Sequence, residues 1–133
     1  MIDVKLLIKD CYLLVGDGDT GAVKGDLAIE GDRILKVGDE GELPRDWKAE
    51  RIIEGKDYLC LPGLINCHTH AAMTLLRSYA DDLPLMFWLE KKIWPIEERL
   101  TADDVYWGTM LALLEMIQSG TTTFNDLYFF MDR

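Results

Sequence analysis

Cysteine is scarce and odd in number, at Cys11, Cys60 and Cys67. That excludes a disulfide framework, and a reducing cytoplasm is the compartment it predicts. Positive charge is also in short supply, with 14 Lys and Arg against 24 Asp and Glu and a formal charge of −10. Phosphate-backbone binding needs clustered basic residues, so no nucleic-acid partner is expected. No apolar run approaches the roughly 18–20 residues of a membrane-crossing helix, so no membrane partner is expected either. The opening Met1-Ile2-Asp3-Val4-Lys5 lacks the basic-then-apolar order of a secretory signal. There is no internal repeat and no low-complexity tract. What remains is a chain of 133 residues, 49% hydrophobic and 29% charged. That composition describes a globular protein, and the length holds one ordinary domain but not two complete ones.

The pattern changes near Leu61-Pro62-Gly63. Before it the residues read as short strands. Ile2, Val4, Leu6 and Ile8 alternate with Asp3, Lys5 and Lys9, while Leu7 breaks the polar face. Tyr12 to Val15 is a second apolar stretch, closed by the turn-forming run from Gly16 to Gly21. Segments from Asp26 to Glu30 and from Arg33 to Val37 flank Gly31-Asp32 as a tight hairpin. Gly38 to Glu50 is polar and reads as a surface loop.

Beyond the division, Leu59 to Cys67 is a mainly apolar run broken by Pro62-Gly63, as in a buried parallel strand. Asp82 is placed to cap a helix with Pro84 in its first turn and Leu85, Leu89 and Ile93 on one face. Pro95 should end that helix at or before Trp94. Thr101-Ala102-Asp103-Asp104 has the form of a capping box with Asp in the Glu position, opening a helix to about Ser119. Gly120 is its stop, and Thr121 to Phe124, β-branched and aromatic, begins a second strand. A β-rich unit followed by strand–helix–helix–strand predicts an α/β fold with parallel pairing.

The two histidines are His68 and His70, two residues apart. On a strand that spacing sends both imidazoles to one face. They stand at the C-terminal end of an apolar strand, where α/β architectures collect ligands and catalytic groups. Two neutral imidazoles converging there are half of a site for a divalent transition metal, most often zinc. The other reading is a pair that merely caps a strand end. Cys67 points to the opposite face and reads as a small buried residue. Asp126 suits either the site or a turn or cap. Gly16, Gly18 and Gly21 do not lead from a strand into a helix, which argues against a phosphate loop.

Leu61-Pro62-Gly63-Leu64-Ile65-Asn66-Cys67-His68-Thr69-His70 resembles the first-strand motif of the amidohydrolase superfamily. The run Ala71 to Arg77, then Trp88-Leu89, Trp94 to Leu100 and Gly120 to Asp126 are similar to its 5′-methylthioadenosine/S-adenosylhomocysteine deaminase and chlorohydrolase branch. A departure is Ala72, where that branch often has Pro. The resemblance implies a (β/α)₈ barrel preceded by part of a small β-sandwich domain. Residues 1–58 would belong to the sandwich and 59–133 to the first β/α units of an incomplete barrel. It implies a metal-dependent hydrolytic deaminase of adenosine-type nucleosides that releases ammonia. His68 and His70 would hold one divalent metal, zinc with iron as the alternative.

The resemblance assigns Glu97 the ribose hydroxyls of the substrate, which a carboxylate can accept as a pair. The alternative is a solvated acid beside Glu98 and Arg99. Trp88 would supply an apolar wall, with a core aromatic as its alternative. The family's further His and Asp ligands and its proton-transfer Glu and His come from later strands, so no catalytic residue is expected in this segment. The partners implied are a small-molecule nucleoside, the remainder of the polypeptide and, optionally, a second copy in a homo-oligomer. Rival readings are an amidohydrolase of another ring, such as a triazine chlorohydrolase or guanine deaminase, and a non-catalytic fragment. The 133 residues alone are expected to be inactive.

Overall fold

The computed structural model describes residues 3–16, 21–39 and 47–130. They fall into two compact units, one ending at Pro62 and the other beginning at Gly63. The first is a five-stranded sheet. Strands β1 (Asp3–Leu14), β2 (Ala22–Glu30), β3 (Arg33–Asp39) and β4 (Lys48–Glu54) lie in the order β3-β2-β1-β4, and the short β5 (Leu59–Cys60) also pairs with β1. β2 runs antiparallel to β1 and β3, whereas β4 and β5 run parallel to β1.

The two apolar stretches expected near the start are one strand. Asp10, at φ 57°, sits in a bulge between Ile8 and Cys11. The extra residue reverses side-chain parity, so Ile8 packs with Cys11 and Leu13. Leu7 points the other way and packs with Ala28, Trp47 and Ala49. The residue that broke the polar alternation therefore covers a second face. Gly31 and Asp32 close the hairpin, with Gly31 at φ 59° as the first position of a type II′ turn requires. β4 begins at Lys48, inside the segment read as a loop, because β1 offers it a parallel edge. Ile2, residues 17–20 of the expected turn and 40–46 of the expected loop lie outside the described residues.

The second unit pairs β6 (Leu64–Thr69) with β7 (Thr121–Asp126) in parallel. The apolar run from 59 to 67 is thus two elements: Leu59 and Cys60 join the first sheet. Pro62, which has no N–H for a ladder, falls in the gap. Between β6 and β7 come a 3₁₀ segment (Ala71–Leu76), a helical stretch and α3 (Ala102–Gln118). The helical stretch joins α1 (Leu85–Trp88), a π-helical turn (Leu89–Ile93) and α2 (Trp94–Glu97) without a break. Pro84 rather than Asp82 is the N-cap, and Asp82 sits at φ 59° before it. Pro95 does not end the helix. It falls in the first turn of α2 just after the wider π turn, where its missing N–H costs little.

α3 opens on the expected capping box. Thr101 Oγ1 accepts from the Asp104 backbone at 3.2 Å, and Asp104 Oδ2 accepts from the Thr101 backbone at 2.8 Å. The Thr101 hydroxyl also donates to Asp104 Oδ2 at 2.6 Å, and this bond first, then the one from the Thr101 backbone, holds the Asp104 carboxyl below its ordinary range. Gly120, at φ 84°, follows the helix as its stop. Gly108 lies mid-helix, where glycine normally costs stability, because a Cβ there would stand 2.5 Å from the Ala72 carbonyl oxygen. That close approach packs α3 on the 3₁₀ segment, and Ala72, Val105 and Tyr128 form the unit's core cluster. Among the described residues no helix is long and apolar enough to cross a membrane.

Candidate active site

The strand end carries both histidines. His68 is within β6 and His70 lies just past it, preceding the 3₁₀ segment. Their ring centroids are 5.1 Å apart with the planes at 78°, so the two imidazoles stand side by side. His70 Nδ1 is 3.1 Å from the Leu127 carbonyl oxygen. A carbonyl only accepts, so Nδ1 carries the proton, and in the neutral ring the free lone pair is on Nε2. The backbone on either side of His70 is tied to the end of β7. Leu127 N–H donates to the Thr69 carbonyl at 2.9 Å, and the Ala71 N–H donates to Asp126 Oδ1 at 3.2 Å. Asp126 therefore holds the turn after His70, in keeping with the turn role among the two given for it. His68 N–H donates to Asn66 Oδ1 at 3.1 Å.

Two adjacent imidazoles, one with its tautomer fixed by a carbonyl, fit half of a tetrahedral zinc donor set. Among the described residues no group of three or more His, Cys, Asp or Glu is gathered as a complete ligand set. Cys67 is exposed, not buried as expected. Leu64 and Ile65 on the same strand are exposed too, so both faces of β6 lack the cover a parallel strand usually has.

Beside His70 opens a cavity of about 280 Å³, walled by Trp88, Ile93, Trp94 and Glu97 from the helical stretch and by Tyr128 after β7. Glu97 is only 5% exposed, which overturns the solvated-acid alternative. The cause is the uninterrupted helix. Glu97 follows the buried Ile93 by four residues and shares its face, whereas a break at Pro95 would have freed it. Trp88 is half-buried and forms part of the cavity wall.

Tyr128 had no assigned role in the sequence, where it is one of four consecutive apolar or aromatic residues from Leu127 to Phe130. In the structure it is 7% exposed, and its ring centroid lies 6.4 Å from that of His70. Its phenol oxygen and Glu97 Oε1 are both buried without a hydrogen bond of good geometry. Burial first, and then the Glu97 carboxylate beside it, push the phenol well above the ordinary tyrosine range. The only available signal was a tyrosine two residues past a strand that ends in Asp126.

Comparison with known proteins places this site in context. The profile of the amidohydrolase family matches residues 59–133. A 5-methylthioadenosine/S-adenosylhomocysteine deaminase of Moorella thermoacetica is 59% identical over 128 residues, 96% of this chain and 30% of that protein. One of Pelotomaculum thermopropionicum is 56% identical over 129 residues, again 96% of this chain and 30% of the relative. The chain thus spans about 30% of the length of these curated relatives. Among solved structures, an adenosine deaminase of Xanthomonas campestris with bound zinc superposes with a TM-score of 0.89 at 37% identity, over 98% of this chain and 30% of that one. An Aspergillus niger ochratoxinase shares the fold at a TM-score of 0.59 and 22% identity. With its histidine pair inside the matched region, the chain belongs to the amidohydrolase family.

Proposed function

We propose that this chain is the N-terminal portion of a metal-dependent hydrolytic deaminase that converts an adenosine-type nucleoside, 5′-methylthioadenosine or S-adenosylhomocysteine, to its inosine-type product and ammonia. The observation that carries this reading is the buried Glu97 carboxylate in the wall of a cavity that also includes His70. A carboxylate nearly withdrawn from water is costly unless a ligand supplies donors to it. A ribose diol supplies two adjacent O–H groups that one carboxylate can accept. Relatives whose names specify such substrates match the chain at 59% and 56% identity.

His68 and His70 would hold one divalent metal. Zinc is favoured by the zinc-bound adenosine deaminase at 37% identity, with iron as the alternative. When bound, such a metal supplies a water of lowered pKa for attack on the purine carbon that bears the amino group. The chain's own residues bind and orient. Leu127 holds the His70 ring through its carbonyl, Asp126 holds the following turn, and Trp88 with Trp94 presents apolar surface to the base. No histidine besides these two is available in the chain to move a proton. In this reading the proton-transfer groups and remaining ligands come from further polypeptide. Residues 59–133 then form the first β/α units of a (β/α)₈ barrel, and the preceding residues are part of a small β-sandwich.

The test is Glu97→Ala in the full-length polypeptide that carries this segment. KM for methylthioadenosine should rise about tenfold or more, with a smaller effect on an adenine-type substrate that lacks ribose. Equal loss on both substrates would reject the ribose assignment. A triazine substrate, having no ribose, would show no such split.

A further inference from the structure

We propose that Tyr128 is a positioning residue for Glu97, its phenolic O–H turning to the carboxylate and holding it as the acceptor for a ligand's paired hydroxyls. This rests on the reading of Glu97 given above and extends it to a second residue of the cavity wall, whose part is to place that carboxylate. The two side chains reach the same cavity from different elements, Glu97 from the end of α2 and Tyr128 from the segment after β7. Each is more than nine-tenths buried. Each leaves a polar oxygen without a well-formed hydrogen bond, Oε1 on Glu97 and the phenol oxygen on Tyr128. Two such orphans in one place are unusual, because a buried donor or acceptor left unpaired costs about as much as a lost hydrogen bond.

The chemistry of the pair is complementary. A carboxylate can only accept, and a phenol, protonated at neutral pH, has a proton to donate. A small rotation of either group would form a charge-assisted bond, fix one carboxylate oxygen and orient the other toward the ligand. Tyr128 is itself held by packing in the cluster with Ala72 and Val105, so its ring is a firm support. The consequence is selectivity. With Tyr128 in place the carboxylate prefers a vicinal diol, and without the phenol it loses that orientation.

The experiment is an equilibrium titration of the full-length polypeptide carrying this segment, stripped of metal by chelation so that no turnover consumes the ligand. Tryptophan fluorescence from Trp88 and Trp94 in the cavity wall reports binding. Adenosine and 2′,3′-dideoxyadenosine are compared on the wild type and on Tyr128→Phe. The expected result is a wild-type preference for the diol of about tenfold, most of it lost in Tyr128→Phe because adenosine weakens more than dideoxyadenosine. Removing an unsatisfied buried hydroxyl should leave the melting temperature equal or higher, which checks that the variant folds. Equal weakening of both ligands, no change in either, or no wild-type preference for the diol would each overturn the proposal. Should Tyr128→Phe fail to fold, Tyr128→Leu, which also lacks the hydroxyl, is titrated on the same two ligands, and a retained wild-type preference would overturn it equally. The deaminase reading is judged separately, by ammonia release from the metal-loaded wild type. A protein can fail that test and still show, or lack, the diol preference.

Discussion

The two units bury apolar surface in different places. In the first, the bulged β1 puts Val4, Leu7, Cys11 and Leu13 out of water on a five-stranded sheet. In the second, the strand bodies are open, with Leu64 at 50% and Ile65 at 66% exposure, and so is much of α3, with Ile117 at 71%. Most of the second unit's buried residues, Ala71, Ala72, Ile93, Glu97, Val105 and Tyr128, instead lie in or after the elements that follow the strand ends, with Gly108 and Ala112 buried along α3. A parallel strand ordinarily needs cover on both faces, and a pair of strands is marginal by itself. The ends that carry the candidate site are therefore well packed in a unit whose sheet, among the described residues, has two strands.

The strongest way to break that contrast is to ask the 133 residues to work alone. A purified 133-residue polypeptide with added zinc should release no ammonia from methylthioadenosine or S-adenosylhomocysteine, whereas the full-length polypeptide should turn over. Ordinary turnover, about 1 s⁻¹ or more, by a verified 133-residue species would show that the open sheet is sufficient. It would also mean that the chemistry needs no residue beyond those here.

A sharper test concerns the packed strand end. If Asp126 matters by accepting from the Ala71 N–H, Asp126→Ala should loosen the turn after His70 and lower zinc affinity in the full-length polypeptide by about 10- to 100-fold. Asp126→Asn keeps an oxygen that can accept, so it should stay close to wild type. Competition with a chelator of known affinity gives both numbers. Equal loss in the two variants would point to the charge of Asp126, not to the bond it accepts.

Much of this was legible before any coordinates, because the relevant signals are local. The capping box at Thr101, the stop at Gly120 and the Gly31-Asp32 hairpin are each decided by a few adjacent residues, and the structure keeps all of them. The same holds for the same-face placement of His68 and His70, which follows from strand alternation alone. What was missed depends on non-local pairing or on irregular backbone. The bulge at Asp10 joins two stretches into one strand, and β4 exists because β1 offers an edge from more than 40 residues away. The π turn at Leu89–Ile93 carries the helix through Pro95, and with it Glu97 into the cavity wall. Tyr128 was invisible as a site residue because its pairing with Glu97 is set by tertiary contact.

The smallest effect should come from the most conspicuous ion pair of the second unit. Arg77, at the end of the 3₁₀ segment, places Nη1 and Nη2 at 3.0 and 2.6 Å from the two carboxylate oxygens of Glu115 in α3. The geometry is bidentate, yet the side chains remain 61% and 43% exposed, and water screens such a pair strongly. Arg77 holds the Glu115 carboxyl below its ordinary value, and Glu115 holds the guanidinium above its own. A depressed carboxyl contributes stability that is complete above its unfolded pKa, about 4.3, and is lost as pH falls through the lower folded value. The raised guanidinium contributes fully at any pH below its ordinary range, so it adds no pH dependence near neutrality. Arg77→Ala should therefore lower the melting temperature at pH 7 by about 2 °C or less, and the difference from wild type should shrink both in about 1 M salt and below about pH 3. Melting curves at two salt concentrations and two pH values are enough to check this. A difference that persists in high salt would assign Arg77's contribution to the packing of its aliphatic stem between the 3₁₀ segment and α3, where screening has no effect.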